Sequence, residues 1–441
     1  MSQEFTATGT VVSSQAFIQN VQALIRKGAL KDALQELNRA AHSAQNDPRL
    51  HILGMELAEA SGNGKGALES AERAVRKSPQ WAPGVMNLAL LHARQNRFPE
   101  ALAEAHKALD LAPAQPELLD AAIEIGQRSG ANGPLKTWTQ QALALQPGHT
   151  AHRLTLGDTL LALGENQAAL AAFETVLATD LDNEMAAVGR AHALLASGRQ
   201  ADAAAAWDAL LARQPDNPGW AFHRAIAAGE APSVHPLALV KSTFDTLAPV
   251  YDMHMLRTLR YRLPKDVADR LLALHPDRNF HLLDLGCGTG LLGLMLGKIG
   301  GSMIGVDASI KMIEQAEKHG VYDRFHHIDL LDALSETPES LYHVLAALDV
   351  FIYVGDLTQA IGNAHRILRP GGRFVFSCET APADGADWVL QASGRYAHRR
   401  DHVEALCRAA GFSEVDIQEV DLRLEKGQPV KGFLIEAAKA A

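Results

Sequence analysis

The stretch LLDLGCGTG (residues 282–290) ends an apolar run in an acid and then sets three glycines at alternate positions. Glycine lets a backbone approach a ligand without a Cβ clash, so such a loop between a strand and a helix reads as a nucleotide cradle. Two phases of the pattern compete. Gly288, Gly290 and Gly293 spell G-x-G-x-x-G, but that dinucleotide fingerprint starts immediately after its strand, and here Gly286 and Cys287 intervene. Asp284, Gly286, Gly288 and Gly290 spell D-x-G-x-G-x-G, which starts at the strand end. A carboxylate there repels a pyrophosphate and attracts an ammonium group.

Working outward, strand and helix patterns alternate. After the glycines a helix runs through LLGLMLGKIG. GSMIGVD is a second strand, followed by the helix SIKMIEQAEKHG, and RFHHIDL is a third strand. YHVLAALDVFIYV is a fourth, followed by a helix ended at Pro370-Gly371-Gly372, and RFVFSCET is a fifth. A helix stopped at Gly411 and an antiparallel pair around EKGQP close the chain. This order predicts a doubly wound α/β sheet with its ligand beyond the strand C-termini. Asp307 ends the second strand about twenty residues on, where an acid bonds ribose hydroxyls. Asp329 ends the third, where an acid can accept from an adenine amino group.

On these residues, the region 241–441 resembles the class I S-adenosylmethionine-dependent methyltransferases, whose fold is Rossmann-like and seven-stranded. Asp284, Gly286, Gly288 and Gly290 match their first motif, Asp307 the second-strand acid and Asp329 the adenine-side acid. The resemblance implies S-adenosyl-L-methionine as cofactor, S-adenosyl-L-homocysteine as product, and cofactor contacts that also include Cys287, Thr289, Ala308, Met312, Leu330 and Tyr251. FDTLAPVYDMH (244–254), DVFIYVGDL (349–357) and SGRYAH (393–398) further resemble a bacterial group that joins such a domain to tetratricopeptide repeats.

Methyl transfer is an in-line displacement, so acceptor-side residues must align the acceptor and, where needed, take a proton. Asp349 and Tyr353 follow the fourth strand, where this fold places its acceptor. Tyr251 and His254 are three apart on a segment read as a helical lid, with His254 as a candidate base. Arg395, Tyr396 and His398 are read as one loop after the fifth strand. An arginine there is a bidentate partner for an acceptor carboxylate, and His398 is a further catalytic candidate. Each of these also has a purely structural reading, as strand cap, core packing or solvated segment. His326, His327 and His398 do not fall at ligand spacing, so no metal is expected.

More than half the chain precedes the loop, and it repeats. Ala33, Ala67, Ala101, Ala169 and Ala203 are spaced by 34 or 68 residues, with Leu135 in the missing slot. Gly28, Gly62, Gly130, Gly164 and Gly198 keep the same period, with Asn96 in the gap. Pro79, Pro113, Pro147 and Pro215 form a third column, and Ala40, Ala74, Ala108 and Ala142 a fourth. Glycine suits a turn after a first helix, alanine a close helix crossing, and proline the end of a second helix. Residues 14–217 resemble the tetratricopeptide repeat family, best in the fifth unit with Gly164, Ala169 and Phe173. The expected organisation is an irregular terminus (1–13), a repeat domain of six units plus a capping helix (14–229), a linker (230–240) and the α/β domain (241–441).

The resemblance implies a concave face that binds a protein or peptide, with self-association as the alternative. The 441 residues carry a formal net charge of −10, which speaks against a nucleic-acid partner. Three scattered cysteines, Cys287, Cys378 and Cys407, give no disulfide or zinc pattern. No apolar run is long enough to span a bilayer and no signal peptide is evident, so no membrane partner is expected and the cytoplasm is the expected compartment.

Overall fold

A computed structural model describes residues 15–43, 47–391, 393–425 and 427–441. The expected irregular terminus, 1–13, lies outside the described residues. The chain divides into two compact units, one reaching to Ala206 and the other running from Trp207 to Ala441.

The first unit is helical. Its pairs are α1 (Gln15–Arg26) and α2 (Leu30–Ser43), α3 (Pro48–Ala60) and α4 (Gly64–Lys77), α5 (Ala82–Arg94) and α6 (Phe98–Leu111), α7 (Pro116–Ser129) and α8 (Asn132–Leu145), then α9 (Thr150–Ala162) and α10 (Asn166–Leu177). α11 (Glu184–Ala196) and α12 (Gln200–Leu211) complete the series, with the division between the units falling inside α12. The 34-residue columns have the expected physical basis. Gly28, Gly62, Gly130, Gly164 and Gly198 all take positive φ between 65° and 77°, and Asn96 does so at 57°. Each sits in the turn inside a helix pair, where a Cβ is costly and asparagine is the best-tolerated substitute. Ala33, Ala67, Ala101 and Ala169 are fully buried at the crossings. In the first unit the proline is displaced from the 34-residue column to Pro48, which opens α3 behind the cap Asp47, where its missing N–H costs nothing.

After the end of α12, the second unit continues with α13 (Pro218–Ala227), close to the expected capping helix, and α14 (Leu237–Leu247). The stretch 230–240 therefore lies inside this unit. A short helix α15 (Tyr251–Met253) runs into a π-helical turn at His254–Thr258, and α16 (Leu263–Leu274) leads to the sheet. The first five strands are β1 (Leu282–Leu285), β2 (Met303–Asp307), β3 (Arg324–His327), β4 (Tyr342–Ala347) and β5 (Leu368–Thr380). Between them come α17 (Leu291–Leu296), α18 (Ile310–Ala316), α19 (Leu330–Glu336) and α20 (Thr358–Ile367). After β5 come β6 (Trp388–Leu390), β7 (Tyr396–His398), α21 (Arg400–Ala409), β8 (Phe412–Glu425) and β9 (Gln428–Lys439).

β3-β2-β1-β4-β5 are parallel, and β9 adds antiparallel to β5 with β8 beyond it. That is the seven-stranded mixed sheet expected. The hairpin β6–β7 is an addition, with β7 pairing parallel to the last two residues of β5. Strand alternation splits the core. Leu345, Phe374 and Phe376 pack with Val403 and Cys407 on one face, while Val344 and Val375 pack with Val267 and Leu271 on the other.

Three boundaries differ from the sequence reading. β3 stops at His327, so Asp329 caps α19 instead of ending the strand. β4 stops at Ala347, because Asp349 takes a φ of +56° and Phe351–Tyr353 coil into a 3₁₀ turn. Residues 393–398 are the turn and second strand of the hairpin, not an open loop.

Candidate active site

The loop from Gly286 to Gly290 joins β1 to α17, with φ of 65°, 56° and 81° at its three glycines. A Cβ on Gly286 would lie 2.5 Å from Val350 Cγ2, whereas one on Gly288 would meet only the Tyr251 ring, at 3.9 Å. The middle of the loop is therefore the open part of the cradle. Cys287 and Thr289 are buried, and the Thr289 hydroxyl donates to Asp252 of α15. Burial pushes the Cys287 thiol well up, so it is a poor nucleophile.

Two carboxylates frame this loop. Asp307 Oδ2 accepts from the Gly288 N–H at 2.8 Å and Oδ1 from the Ser309 N–H at 2.8 Å, so one side chain spans the loop and the start of α18. Burial raises its pKa in spite of these two donors. Asp284 is buried, and its Oδ2 accepts from the Tyr322 hydroxyl at 2.6 Å. Burial pushes it up to about 7, the Asp307 charge adding to the shift. Tyr322 also accepts from the Gly293 N–H at 3.1 Å, and a Cβ on Gly293 would overlap its ring at 2.3 Å. The third glycine of the shifted dinucleotide pattern thus makes room for a tyrosine.

The Ser309 hydroxyl caps α18, accepting from the Met312 N–H at 3.1 Å and donating to Asp245 of α14 at 2.6 Å. Met312 itself is buried, and the Ala308 carbonyl accepts from His327 Nε2 at 2.9 Å. Asp329 accepts from the Leu331 N–H at 2.7 Å, and Leu330 packs on the core under α19.

Beyond β4, the Asp349 N–H donates to Ser377 Oγ at 2.8 Å and the buried carboxylate meets Arg423 Nη1 at 2.5 Å. Burial raises Asp349 against the pull of that guanidinium. Tyr251 and Tyr353 both feel its charge. Burial and Asp349 together push Tyr353 up to about 12 and Tyr251 well above the usual phenol range, so both rings stay neutral. Phe244 lies edge-on to both, 6.1 Å and 5.6 Å between centroids.

Known proteins give this arrangement a family. Residues 282–372 match the model of a methyltransferase domain, and 56–116, 137–185, 154–218 and 188–232 match the tetratricopeptide repeat. The chain joins tetratricopeptide repeats to an S-adenosylmethionine-dependent methyltransferase domain. Over 197 residues it is 28% identical to a ubiquinone biosynthesis O-methyltransferase of Azorhizobium caulinodans, covering 40% of this chain and 77% of that one. The mitochondrial ubiquinone biosynthesis O-methyltransferase of Mus musculus is 29% identical over 31% of this chain, which spans 39% of that protein. An uncharacterized Haemophilus influenzae protein is 36% identical over 27% of this chain, which spans 51% of it. Among solved structures, magnesium protoporphyrin IX methyltransferase from Synechocystis with bound SAH superposes with a TM-score of 0.37 at 18% identity, over 46% of this chain and 99% of that one.

The methyltransferase domain brings Asp284, the three glycines, Asp307, Ser309 and Tyr251 around one loop. These residues fit the cofactor: an open backbone stretch at Gly288 lies beside one buried carboxylate that spans to the next helix and another able to meet a cation. Asp329 spends one oxygen on capping α19, and Met312 is buried in α18.

The acceptor-side expectations divide. Asp349 and Tyr353 stand near Tyr251. His254 is exposed at the start of the π-helical turn, one helical turn on from Tyr251, its N–H still bonded to the Val250 carbonyl. Arg395 is already held by Glu379 at 2.8 Å and Glu425 at 2.6 Å, so it offers no free guanidinium to an acceptor carboxylate. Tyr396 is fully buried, with its hydroxyl donating to the Pro232 carbonyl. His398 is 1% exposed, its Nε2 lying 2.9 Å and 3.0 Å from the Val354 and Gly355 carbonyls. Burial pushes it down to about 4, and a neutral ring fixed to main chain is no base for a mobile acceptor. Tyr322 and Arg423 escaped the sequence reading, since each acts across a long chain separation on a residue type that carries no motif. Among the described residues no three His, Cys, Asp or Glu side chains converge to hold a metal ion, and no helix is long and apolar enough to cross a membrane.

Proposed function

We propose that the chain methylates a protein or peptide that its own repeats recruit. What supports this reading is the uninterrupted run of repeats through α1–α12, an extended surface that cofactor chemistry does not require. Tethering a peptide to the same chain raises its effective concentration without new catalytic contacts. Bound S-adenosylmethionine supplies a methyl group on a sulfonium centre. Gly288 and Asp307 hold the nucleoside side, Asp284 meets the ammonium group, and Asp329 is kept for the adenine edge. Tyr251 and Tyr353 flank the acceptor, and Asp349 Oδ takes the proton that a hydroxyl or amine acceptor releases. Burial raises its pKa, which makes the carboxylate a stronger base than a solvated one.

The second reading is a small-molecule O-methyltransferase whose repeats serve self-association, favoured by the ubiquinone biosynthesis relatives. One experiment separates the two. The full chain is incubated with methyl-labelled S-adenosylmethionine and cell extract, and protein is separated from small molecules. Label in protein supports the first reading, label confined to the small-molecule fraction replaces it with the second, and no label in either overturns both.

A further inference from the structure

The stretch 230–240 looks like a bare connection in the sequence, yet part of it is built into the methyltransferase unit. Val234 bridges antiparallel to Val354. The His235 N–H donates to the Tyr353 carbonyl at 3.0 Å, and the Gly355 N–H donates to the Ser233 carbonyl at 2.7 Å. The His235 ring lies edge-on to Tyr353 and Tyr396, 5.5 Å between centroids in each case, and tilts on Phe222 at 4.5 Å. Its Nε2 donates to the Gly394 carbonyl at 2.6 Å. One imidazole therefore ties the strap, the 3₁₀ turn after β4 and the tip of the β6–β7 hairpin together. The far side of the same turn is held by His398, and Trp388 covers Gly355 so closely that a Cβ there would lie 2.6 Å from its ring.

We infer that His235 is a positioning residue for methyl transfer: by fixing the turn from Tyr353 to Gly355 from outside, it sets where the Tyr353 hydroxyl meets the acceptor. The inference rests on the reading of Tyr353 as acceptor-facing. It assigns a kinetic role to a residue 47 positions before the 282–372 match begins. The hydrogen bonds and ring contacts described for His235 go to Tyr353, Gly394, Tyr396 and Phe222, so the effect is expected on the acceptor side. Its ring is neutral because burial lowers its pKa, which leaves Nε2–H as the donor to Gly394.

The test compares His235→Ala, His235→Gln and Tyr353→Phe in the full chain. S-adenosylhomocysteine binding is measured by calorimetry, acceptor kinetics with the extract fraction that the unaltered protein labels, and amide exchange at Gly355 and Asp356 by mass spectrometry. The expected result for His235→Ala is cofactor affinity within about twofold, acceptor KM raised about tenfold or more with a smaller change in kcat, and exchange at the two amides at least tenfold faster. His235→Gln, which can still donate to the Gly394 carbonyl, recovers most of both. Unchanged KM in His235→Ala while Tyr353→Phe raises it overturns the inference and leaves the acceptor reading standing. Unchanged KM in both variants overturns the acceptor reading and the inference with it. A parallel loss of cofactor affinity makes His235 a structural residue only and overturns the inference.

Discussion

The Tyr322 hydroxyl donates to Asp284 Oδ2 at 2.6 Å across 38 residues of sequence, and the same oxygen accepts from the Gly293 N–H. Tyrosine thus ties the glycine loop at its acidic end and its helical end at once. Tyr322→Phe leaves both a buried carboxylate and a buried N–H short of a partner, which costs about 1–3 kcal/mol. Urea unfolding should show that loss, with weaker S-adenosylhomocysteine binding alongside it. Unchanged stability would mean that water replaces the hydroxyl.

The raised pKa of Asp284 gives a pH dependence with a definite sign. Its folded value of about 7 lies above the ordinary aspartate value near 4, so between the two the native state keeps a proton that the unfolded chain has lost. The stability this contributes is complete below about pH 4 and is lost as pH rises to about 7, at up to roughly 1.4 kcal/mol per unit. Stability of the cofactor-free protein should fall over that window, and Asp284→Asn should flatten the fall. Binding runs the other way. An ammonium partner needs the ionised carboxylate, so cofactor affinity should rise from pH 6 to pH 8 with proton release, and calorimetry on Asp284→Asn should show no such slope.

Gly286 and Gly288 predict different failures. Gly286→Ala combines the left-handed cost of about 1–2 kcal/mol with a methyl 2.5 Å from Val350 Cγ2. Gly288→Ala meets nothing closer than Tyr251 at 3.9 Å, so it should fold better and instead intrude on the cradle. Adding Val350→Ala should restore part of the lost stability of Gly286→Ala and nothing to Gly288→Ala. Equal effects in both backgrounds would show that strain alone decides.

These residues also mark what a single sequence can and cannot reveal. The left-handed column of Gly28 to Gly198, and even Asn96 in its gap, was legible because φ is a property of residue type. The phase of the glycine loop was legible for the same reason. The end of β4 was not. Its apolar run continues through Val354, and only a positive φ at Asp349, bracketed by Ser377 and Arg423 from distant strands, stops it. Tyr322, Arg423 and the hairpin at 388–398 act through pairings made only once the sheet is assembled, and local pattern carries no trace of them.

In the repeats, Phe173 of α10 is seated between two glycines. A Cβ at Gly157 of α9 would lie 2.6 Å from its ring and one at Gly189 of α11 would lie 2.4 Å away. The ring is fully buried, so Phe173→Ala should cost about 3–5 kcal/mol. Gly189→Ala should cost about 1–3 kcal/mol by overpacking. Combining Gly189→Ala with Phe173→Leu should cost less than the sum of the single changes, as read in thermal unfolding. Additive losses would mean that the helices shift apart to admit the methyl.

Arg423 predicts a loss as large as that of Phe173, but by charge. The residue is 5% exposed, and its guanidinium meets Asp349 at 2.5 Å, Glu425 at 3.0 Å and Glu379, which Arg395 also holds at 2.8 Å. Three carboxylates share two guanidinium groups, so the cluster cannot lose one cation without leaving buried negative charge uncompensated. Arg423→Met should cost about 3–5 kcal/mol near neutral pH. Asp349 is already raised by burial, and without Arg423 it rises further, keeping its proton in the native state. The stability tied to that neutral form is present at acid pH and lost as pH rises through the new folded value. The gap between Arg423→Met and the unaltered protein should therefore be small at pH 5 and widen toward pH 8 in urea unfolding. Asp349→Asn in the same chain should narrow it by removing one of the stranded charges. Parallel stability curves over that range would show that Arg423 acts by packing and not by charge.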